Sequence, residues 1–225
     1  LRRLMGDAPG WMAEAAASTG ARAFVHVSAI APEPDEDAEI EYAAAKRLGE
    51  KQVLAAFPKA TILRPSIVFG KDDKFINMFA GLISNLPVLP VFAPDAKLQP
   101  VYVDDVAEAA VRALEQPDVF GGKIYELGGP EQLSMMDINR AIADAQYRDR
   151  SFLPMPDAIS AIFAALPGTP MGSDQWELLK SGNVVSGDRP GFDKFGISPR
   201  PLSLFLDKWM VQYRKHGRFN ERASV

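Results

Sequence analysis

Ala23-Phe24-Val25-His26-Val27-Ser28 and Ala60-Thr61-Ile62-Leu63-Arg64 are the two runs of sequence that decide the fold. Both runs are short, apolar and partly β-branched, which is typical of strands buried inside a parallel sheet. Residues 40–57 lie between them, contain no proline and predict a helix. Because a strand, a helix and a second strand follow one another, we expect an α/β fold with a parallel sheet and helices on its faces.

The second half of the chain continues this alternation. Ser134 and Asp137 have the spacing of a capping box, which predicts a helix from there to about Gln146. Pro65 cannot donate a backbone hydrogen bond, so we expect the strand before it to end there. Prolines interrupt residues 87–100, where we expect an irregular segment. We expect further helices at residues 75–86, 105–116, 155–166, 173–182 and 202–216, and further strands at residues 101–103 and 123–127.

The composition excludes several classes of function. The chain has 225 residues, a formal net charge of −4 and no cysteine. An acidic balance argues against a nucleic-acid footprint over the whole surface. Without cysteine there is no disulfide framework, thiol nucleophile or cysteine-ligated zinc site. No run of about 18 apolar residues occurs and no signal peptide is visible, so we expect no transmembrane helix.

Tyr42 and Lys46 are the residues with the clearest chemical potential. Residues four apart share one face of a helix, so the phenol and the ammonium are expected to lie side by side. A neighbouring ammonium favours phenolate, which makes a tyrosine usable as an acid or base near neutral pH. Chance alone supplies roughly one such pair in four chains of this composition. The alternative is therefore an ordinary solvent-facing helix with an unremarkable lysine.

Ser28, the Tyr42/Lys46 pair, residues 63–70 and residues 101–107 follow one another in an order that carries a resemblance. On these runs the chain resembles the extended and atypical short-chain dehydrogenase/reductases of the NAD-dependent epimerase/dehydratase type. Four runs carry a closer likeness: residues 49–53, 57–62, 69–75 and 99–103. On them the chain is most similar to the branch of the nucleotide-binding accessory subunit of respiratory complex I and its bacterial relatives.

The resemblance implies a Rossmann-type fold and a dinucleotide cofactor. The expected fold is the C-terminal part of a doubly wound parallel sheet with a small, mainly helical lobe on the substrate side. The cofactor is NAD or NADP, without a readable preference. Tyr42 and Lys46 are the expected catalytic residues, and Lys46 is expected to lower the pKa of Tyr42. The expected cofactor-binding residues are Ser28, Tyr42, Lys46, Pro65, Ser66 and Ile67.

Two departures from the family pattern affect the expected activity. Such folds bind pyrophosphate on a glycine-rich turn after a strand, and no such turn is present. We therefore expect this chain to be the C-terminal part of a longer protein, lacking on the order of three β/α units. Active members also carry a catalytic Ser or Thr two residues after the strand-end serine, where this chain has Ile30. Ser28 itself is expected either to cap its strand or to contact the cofactor.

Two residues outside this pair have competing structural explanations. Arg64 ends its strand beside the expected nicotinamide loop, and it is expected either to serve the site or to pair with a carboxylate in the fold. His26 lies within an apolar strand, where a histidine with satisfied hydrogen bonds inside the core is expected rather than a ligand. With His216 as the second histidine of the chain, no metal site is expected.

These observations leave two hypotheses about function. The first is an accessory or assembly protein of respiratory complex I that holds the dinucleotide structurally, with complex I subunits as partners. The second is an active oxidoreductase or epimerase in which Tyr42 acts on a sugar nucleotide, quinone precursor or isoprenoid substrate. We expect residues 1–85 and 101–130 to form the dinucleotide-binding domain and residues 86–100 and 131–225 the smaller lobe.

The expected location follows from the same resemblance. We expect a cytoplasmic protein that is peripheral on the inner face of the respiratory membrane, or on the matrix side in a mitochondrion. The basic cluster at residues 214–218 either contacts an anionic surface or forms the charged end of a C-terminal helix packed on the fold.

Overall fold

A computed structural model of the chain describes residues 1–32, 40–165 and 173–219. A π-helical segment, Arg2–Asp7, precedes the first helix, and 3₁₀ turns occupy Met210–Tyr213 and Gly217–Phe219. The helices are α1 Ala8–Ser18, α2 Glu41–Ala56, α3 Lys74–Asn85, α4 Val103–Glu115, α5 Pro117–Phe120, α6 Met135–Ala145, α7 Asp157–Ala165, α8 Ser173–Lys180, α9 Phe192–Phe195 and α10 Ser203–Trp209. The strands are β1 Val25–Val27, β2 Thr61–Pro65, β3 Val68–Phe69, β4 Val88–Val91, β5 Lys97–Leu98, β6 Val101–Tyr102, β7 Ile124–Leu127, β8 Leu133–Ser134 and β9 Ser151–Pro154.

The contacts divide the chain into two compact units. Unit 1 consists of residues 1–66, 103–128 and 183–199, and unit 2 consists of residues 67–102, 129–182 and 200–225. The predicted division into a dinucleotide-binding domain and a smaller lobe concerns what each part does, and it remains a prediction.

Unit 1 is built on the parallel sheet that the sequence predicts. The strand order is β1-β2-β7, with both pairs parallel, so the expected α/β fold is confirmed. Helix α2 connects β1 to β2, and α1 packs beside α2. Apolar side chains from α1, α2 and β2 form the core on this face of the sheet, including Ala13, Val53, Phe57 and Ile62.

The chain itself covers the outer edge of β7. The backbone N–H of Glu126 donates to the carbonyl of Pro190, and the Glu126 carboxylate accepts from the N–H of Ser186 at 2.7 Å. Helix α9 then packs Phe195 against Tyr125, with the ring centroids 4.7 Å apart. Residues 186–195 are therefore bound to β7 by both backbone and side-chain contacts.

Arg64 of β2 pairs with carboxylates, which is one of the two explanations expected for it. Its Nε and Nη2 donate to the two oxygens of Glu50 on α2 at 2.9 and 2.7 Å. Its Nη1 lies 3.8 Å from the carboxylate of Glu126 on β7. All three side chains are largely buried, so the charges compensate one another away from water. This bidentate pair holds α2 against the sheet.

The strand before Pro65 ends at this proline, as expected, and Pro65 is itself the last residue of β2, where it pairs with Leu127. A proline is tolerated at that position because its carbonyl still accepts a hydrogen bond from the N–H of Ile30. The expectation of an irregular segment at residues 87–100 is wrong in part, since the segment contains β4, paired with β9, and β5, paired with β8.

Unit 2 has its own apolar core. The expected capping box is confirmed, because the side chains of Ser134 and Asp137 each accept from the other's backbone N–H at the start of α6. The expected helix at 202–216 is shorter in the structure, since α10 ends at Trp209 and a 3₁₀ turn follows. The core includes residues of β3, β4, α3, α6, α10 and the 3₁₀ turn after α10, among them Phe69, Ile76, Leu89, Ile138, Ile142, Leu206 and Met210.

The described residues include no helix that combines the length and the apolar character needed to cross a membrane.

Gly49 should be intolerant of any side chain, because a Cβ there would collide with the backbone oxygen of Met5. We expect Gly49→Ala to lower the free energy of unfolding by about 1–3 kcal/mol, the usual cost of overpacking. Gly81 of α3 is the matched control, since a Cβ there meets no atom within 4 Å. Gly81→Ala should raise stability by up to about 1 kcal/mol through helix propensity. Urea unfolding measures both changes, and equal effects would contradict the close packing at Gly49.

Arg64→Met should be strongly destabilising, because it leaves the buried carboxylates of Glu50 and Glu126 without their shared cation. We expect a loss of about 3–5 kcal/mol, as for other buried pairs that lose one partner. Lys59→Met is the control, since Lys59 and Asp118 pair at 3.3 Å with side chains 74% and 89% exposed. Such a surface pair contributes less than about 1 kcal/mol. A loss for Arg64→Met no larger than the control's would show that the buried pair does not hold α2.

Candidate functional site

The candidate site lies at the carboxyl ends of β1 and β2 in unit 1. Val53 of α2 packs in the same core as Ile62, while Glu50 binds Arg64 two residues further along β2. Helix α2 therefore runs antiparallel to the strand. Tyr42 is eight residues before Glu50, or about 12 Å along the helix axis. The start of α2 consequently projects beyond the carboxyl edge of the sheet, where parallel α/β folds bind their ligands.

Tyr42 and Lys46 lie side by side on the first turns of α2, as the spacing predicts. The Lys46 ammonium is 5.8 Å from the centroid of the Tyr42 ring, and both side chains are partly buried. Burial lowers the pKa of Lys46, and the carboxylate of Glu50 one turn later opposes that change. Glu50 therefore supports both the position of α2, through Arg64, and the positive charge of Lys46.

The pKa of Tyr42 moves in the direction opposite to the one expected. Burial raises it above the ordinary tyrosine value. The physical reason is that removing a phenolate from water costs more here than the ammonium recovers from its place over the ring face. In this structure Tyr42 is therefore a protonated phenol at neutral pH, suited to donating a hydrogen bond.

Asn183 is a site residue that the sequence reading missed. Its side-chain oxygen accepts from the Ser66 hydroxyl at 2.7 Å, and the hydroxyl also lies 2.8 Å from the Asn183 carbonyl. Its Nδ2 donates to the carbonyl of Ile30 at 3.0 Å. Asn183 thus ties the chain after β1 to the chain after β2. No local pattern signals this, because Asn183 is 117 residues from Ser66 and 153 from Ile30.

Ile30 is fixed in place by its backbone. Its N–H donates to the carbonyl of Pro65 at 3.0 Å, and its own carbonyl accepts from Asn183. The position at which the family carries a catalytic hydroxyl is therefore held by two hydrogen bonds but presents an alkyl side chain. An alkyl group cannot hydrogen-bond a substrate oxygen.

Ser28 and His26 each have a buried polar atom that no described residue satisfies. Ser28 is 4% exposed, and its N–H extends the ladder to the Leu63 carbonyl, yet its Oγ has no partner among the described residues. The same holds for Nε2 of His26. The expectation that His26 is a satisfied core histidine therefore stays a prediction for this atom.

The remaining predicted cofactor residues fall at the same strand end or directly after it. Pro65 is the last residue of β2 and Ser66 follows it directly, where the Ser66 N–H donates to the Leu127 carbonyl at 2.9 Å. Ile67 begins unit 2, where its carbonyl accepts from Val101 and its side chain packs on the core of that unit. The structure thus places Ser28, Pro65 and Ser66 on the sheet of unit 1 that α2 overlies. The assignment of all six residues to a cofactor remains a prediction.

No cluster of three or more His, Cys, Asp or Glu side chains within residues 1–32, 40–165 and 173–219 is arranged to hold a metal ion. The candidate site therefore consists of a phenol, an ammonium, two serine hydroxyls and an asparagine. Hydroxyl and amine donors of this kind suit a polyhydroxylated ligand such as a ribose.

Comparison with known proteins identifies the family and the relatives that this chain is similar to. The sequence profile of the family described as the RmlD substrate binding domain matches residues 3–170. The mitochondrial NADH dehydrogenase [ubiquinone] 1 alpha subcomplex subunit 9 of Mus musculus is 31% identical over 225 residues, covering 96% of this chain and 57% of the mouse protein. A ceramide reductase of Caulobacter vibrioides is 38% identical over 105 residues, covering 47% of this chain and 32% of that protein. The chain thus spans about half the length, or less, of these relatives.

A solved structure agrees on the fold. The dTDP-4-dehydrorhamnose reductase of Bacillus anthracis, crystallised in complex with NADP, superposes with a TM-score of 0.65 at 17% identity. The match covers 94% of this chain and 72% of the reductase chain. The likeness shows a Rossmann-type fold for the chain, as the motifs predict. Since the family profile matches more than half of the sequence, the chain belongs to the RmlD substrate-binding-domain family, of the short-chain dehydrogenase/reductase and epimerase type.

Proposed function

We propose that this chain belongs to an NAD(P)-binding accessory protein of respiratory NADH:ubiquinone oxidoreductase, which holds its dinucleotide as a structural ligand. The similarity to the mouse subunit 9 protein over 96% of the chain supports the association with that complex. The proposed location is the inner face of the respiratory membrane, on the matrix side in a mitochondrion, by peripheral attachment.

The observation that carries the proposal is Ile30, held by Asn183 and Pro65 at the position of the family's catalytic hydroxyl. Proton transfer needs a partner that can orient the substrate oxygen, and Ile30 supplies none. The raised pKa of Tyr42, caused by burial, favours the same conclusion, because a phenol that stays protonated at neutral pH is a weak acid and cannot act as a base. Both features favour a bound dinucleotide over turnover.

The residues at the strand ends fit a dinucleotide. The Lys46 ammonium and the Tyr42 phenol are donors suited to ribose hydroxyls, and Ser28 Oγ, which has no partner among the described residues, offers a further polar contact. Asn183 keeps Ser66 and Pro65 in a fixed position beside them. A bound nicotinamide dinucleotide would supply hydride-transfer capacity. The contribution of this chain is to bind and orient that group.

A second function is favoured by a specific observation. The Tyr42/Lys46 pair is complete, and a relative sharing 38% identity over 105 residues is a ceramide reductase. In that alternative Tyr42 exchanges a proton with a substrate carbonyl or hydroxyl. The substrate is then a sugar nucleotide, a quinone precursor, an isoprenoid alcohol or a lipid ketone.

Lys46→Met in the full-length protein should weaken NADH or NADPH binding about tenfold or more, because a donor to the ribose is lost. Tyr42→Phe should change the affinity less, by about threefold, the cost of one neutral hydrogen bond. Lys51→Met is the control, since Lys51 is an exposed lysine on the same helix. Titration calorimetry with both dinucleotides measures all three affinities.

The same preparation separates the two functions. We expect no turnover of an alcohol and ketone panel, and co-migration with respiratory complex I in native gels. Turnover that disappears in Tyr42→Phe would overturn the structural-ligand proposal in favour of the reductase. Absence of dinucleotide binding at millimolar concentration would overturn both.

Asn183→Ala should also weaken dinucleotide binding, by about threefold to tenfold, because Ser66 and Ile30 lose the side chain that joins them. The amide makes no expected contact with the ligand, so the loss should come with a faster dissociation rate. Asn85→Ala provides the control, since Asn85 is an exposed asparagine on α3. Stopped-flow measurement of NADH fluorescence reports the rate, and an unchanged rate would show that Asn183 does not position the loop.

A further inference from the structure

Strand β1 directs a row of polar side chains toward helix α2. His26 pairs in register with Ile62, whose side chain packs against the same core as Val53 of α2. Neighbouring residues in register on parallel strands share a face of the sheet, so His26 also faces α2. Ser28 is two residues further along and lies on the same face, level with Arg64.

His26 and Ser28 carry the buried polar atoms that lack a partner within the part of unit 1 that the structure describes. Nε2 of His26 and Oγ of Ser28 are buried and make no hydrogen bond to any described residue. A buried polar atom without a partner costs roughly 1–3 kcal/mol, so folded proteins rarely leave one. Two such atoms on one face of one strand indicate a common polar partner.

The elements around β1 carry several charged groups. Helix α2 contributes Lys46 and Glu50, β2 contributes Arg64 and β7 contributes Glu126. Helix α4, which also contacts β1, carries the buried Asp105. Burial lowers the pKa of His26 first, the Lys46 ammonium lowers it further, and the Glu50 carboxylate opposes both. The imidazole is therefore neutral near pH 7 and close enough to Lys46 to respond to its charge.

We propose that His26 Nε2, Ser28 Oγ and the Lys46 ammonium share one buried water molecule, and that His26 acts through this water as a positioning residue for Lys46. A buried water typically makes about three hydrogen bonds, and here it would bond the two buried atoms without a described partner and the Lys46 ammonium. Water both donates and accepts, so it satisfies the imidazole in either neutral tautomer. The Lys46 ammonium would then be held from the sheet side while its remaining donors stay directed beyond the carboxyl edge.

The site makes the stability of the chain depend on pH. The pKa of His26 is lower in the folded chain than in the unfolded chain, so between the two values only the unfolded chain binds the proton. Stability is therefore complete above the ordinary histidine pKa of about 6.5 and declines as the pH falls below it. A protonated His26 would also place a second cation beside Lys46.

The water itself is tested in a high-resolution crystal structure of the full-length protein. We expect an ordered water within hydrogen-bonding distance of His26 Nε2, Ser28 Oγ and Lys46 Nζ. The same density should be weaker or absent in Ser28→Ala. A direct bond from His26 Nε2 to a protein atom, or an empty apolar contact at that point, would overturn the proposal.

The coupling to Lys46 is tested by the titration of His26. Nitrogen-detected NMR of the imidazoles, with His26 assigned by its loss in His26→Gln, gives its titration midpoint. Lys46→Met should raise that midpoint by at least half a pH unit, because the repelling ammonium is gone. Lys51→Met should leave it unchanged, since Lys51 is exposed on the same helix. Equal midpoints in all three proteins would show that Lys46 does not share a site with His26.

The positioning role rests on the proposed dinucleotide binding, and it is tested separately. His26→Gln retains a polar atom near the position of Nε2 but cannot titrate, whereas His26→Leu removes the polar atom. We expect His26→Gln to bind the dinucleotide within about twofold of the wild type, and its stability should no longer decline below pH 6.5. We expect His26→Leu to bind the dinucleotide about tenfold more weakly. If His26→Gln fails like His26→Leu, or both bind like the wild type, His26 does not position Lys46. If the wild type binds no dinucleotide, the proposed function fails, while the density and the midpoints still decide the water site.

Discussion

The bidentate pair between Arg64 and Glu50 determines where helix α2 lies. Arg64 belongs to the central strand of the unit 1 sheet, and Glu50 is one turn beyond Lys46, so a single contact sets both the height and the rotation of the helix. The carboxylate of Glu126 adds a second negative charge from the neighbouring strand. A shift of α2 by one turn would separate these charges in a buried setting, which is far more costly than losing apolar contact there. The position of Tyr42 and Lys46 is therefore set by the ion pair between Arg64 and Glu50, not by contacts of the two residues themselves.

The local parts of this arrangement are readable from sequence, and the distant parts are not. The alternation of strands and helices, the capping box of Ser134 and the spacing of Tyr42 and Lys46 depend on residues a few positions apart, where periodicity is informative. Asn183 and its contacts depend on chain that returns after more than a hundred residues, which no periodicity records. The prolines of residues 87–100 predict an irregular segment, but β4 forms there because its pairing with β9 is a tertiary contact that overrides a local propensity. The spacing of Tyr42 and Lys46 predicts a lowered pKa for Tyr42, but burial raises it, because burial depends on packing, which a spacing rule does not contain.

The candidate site joins a complete Tyr42/Lys46 pair to a loop that carries an alkyl side chain at Ile30. That loop is fixed by backbone contacts and by the Asn183 amide. The geometry that positions the pair and the chemistry of the neighbouring loop are therefore separate features of the fold. This is consistent with a family whose fold supports both reductases and proteins with other roles.

The segment that covers β7 also determines at which edge of the sheet another strand could pair. Residues 186–190 occupy the outer edge of β7, so a further strand cannot join the sheet on that side without displacing them. Among the described residues β1 is the terminal strand at the other edge. Any additional strand, whether from the same polypeptide or from a neighbouring protein, would therefore be added next to β1, on the side where His26 and Ser28 lie. The sheet can therefore be extended at one edge, and β1, with His26 and Ser28, would then be an internal strand of the larger sheet.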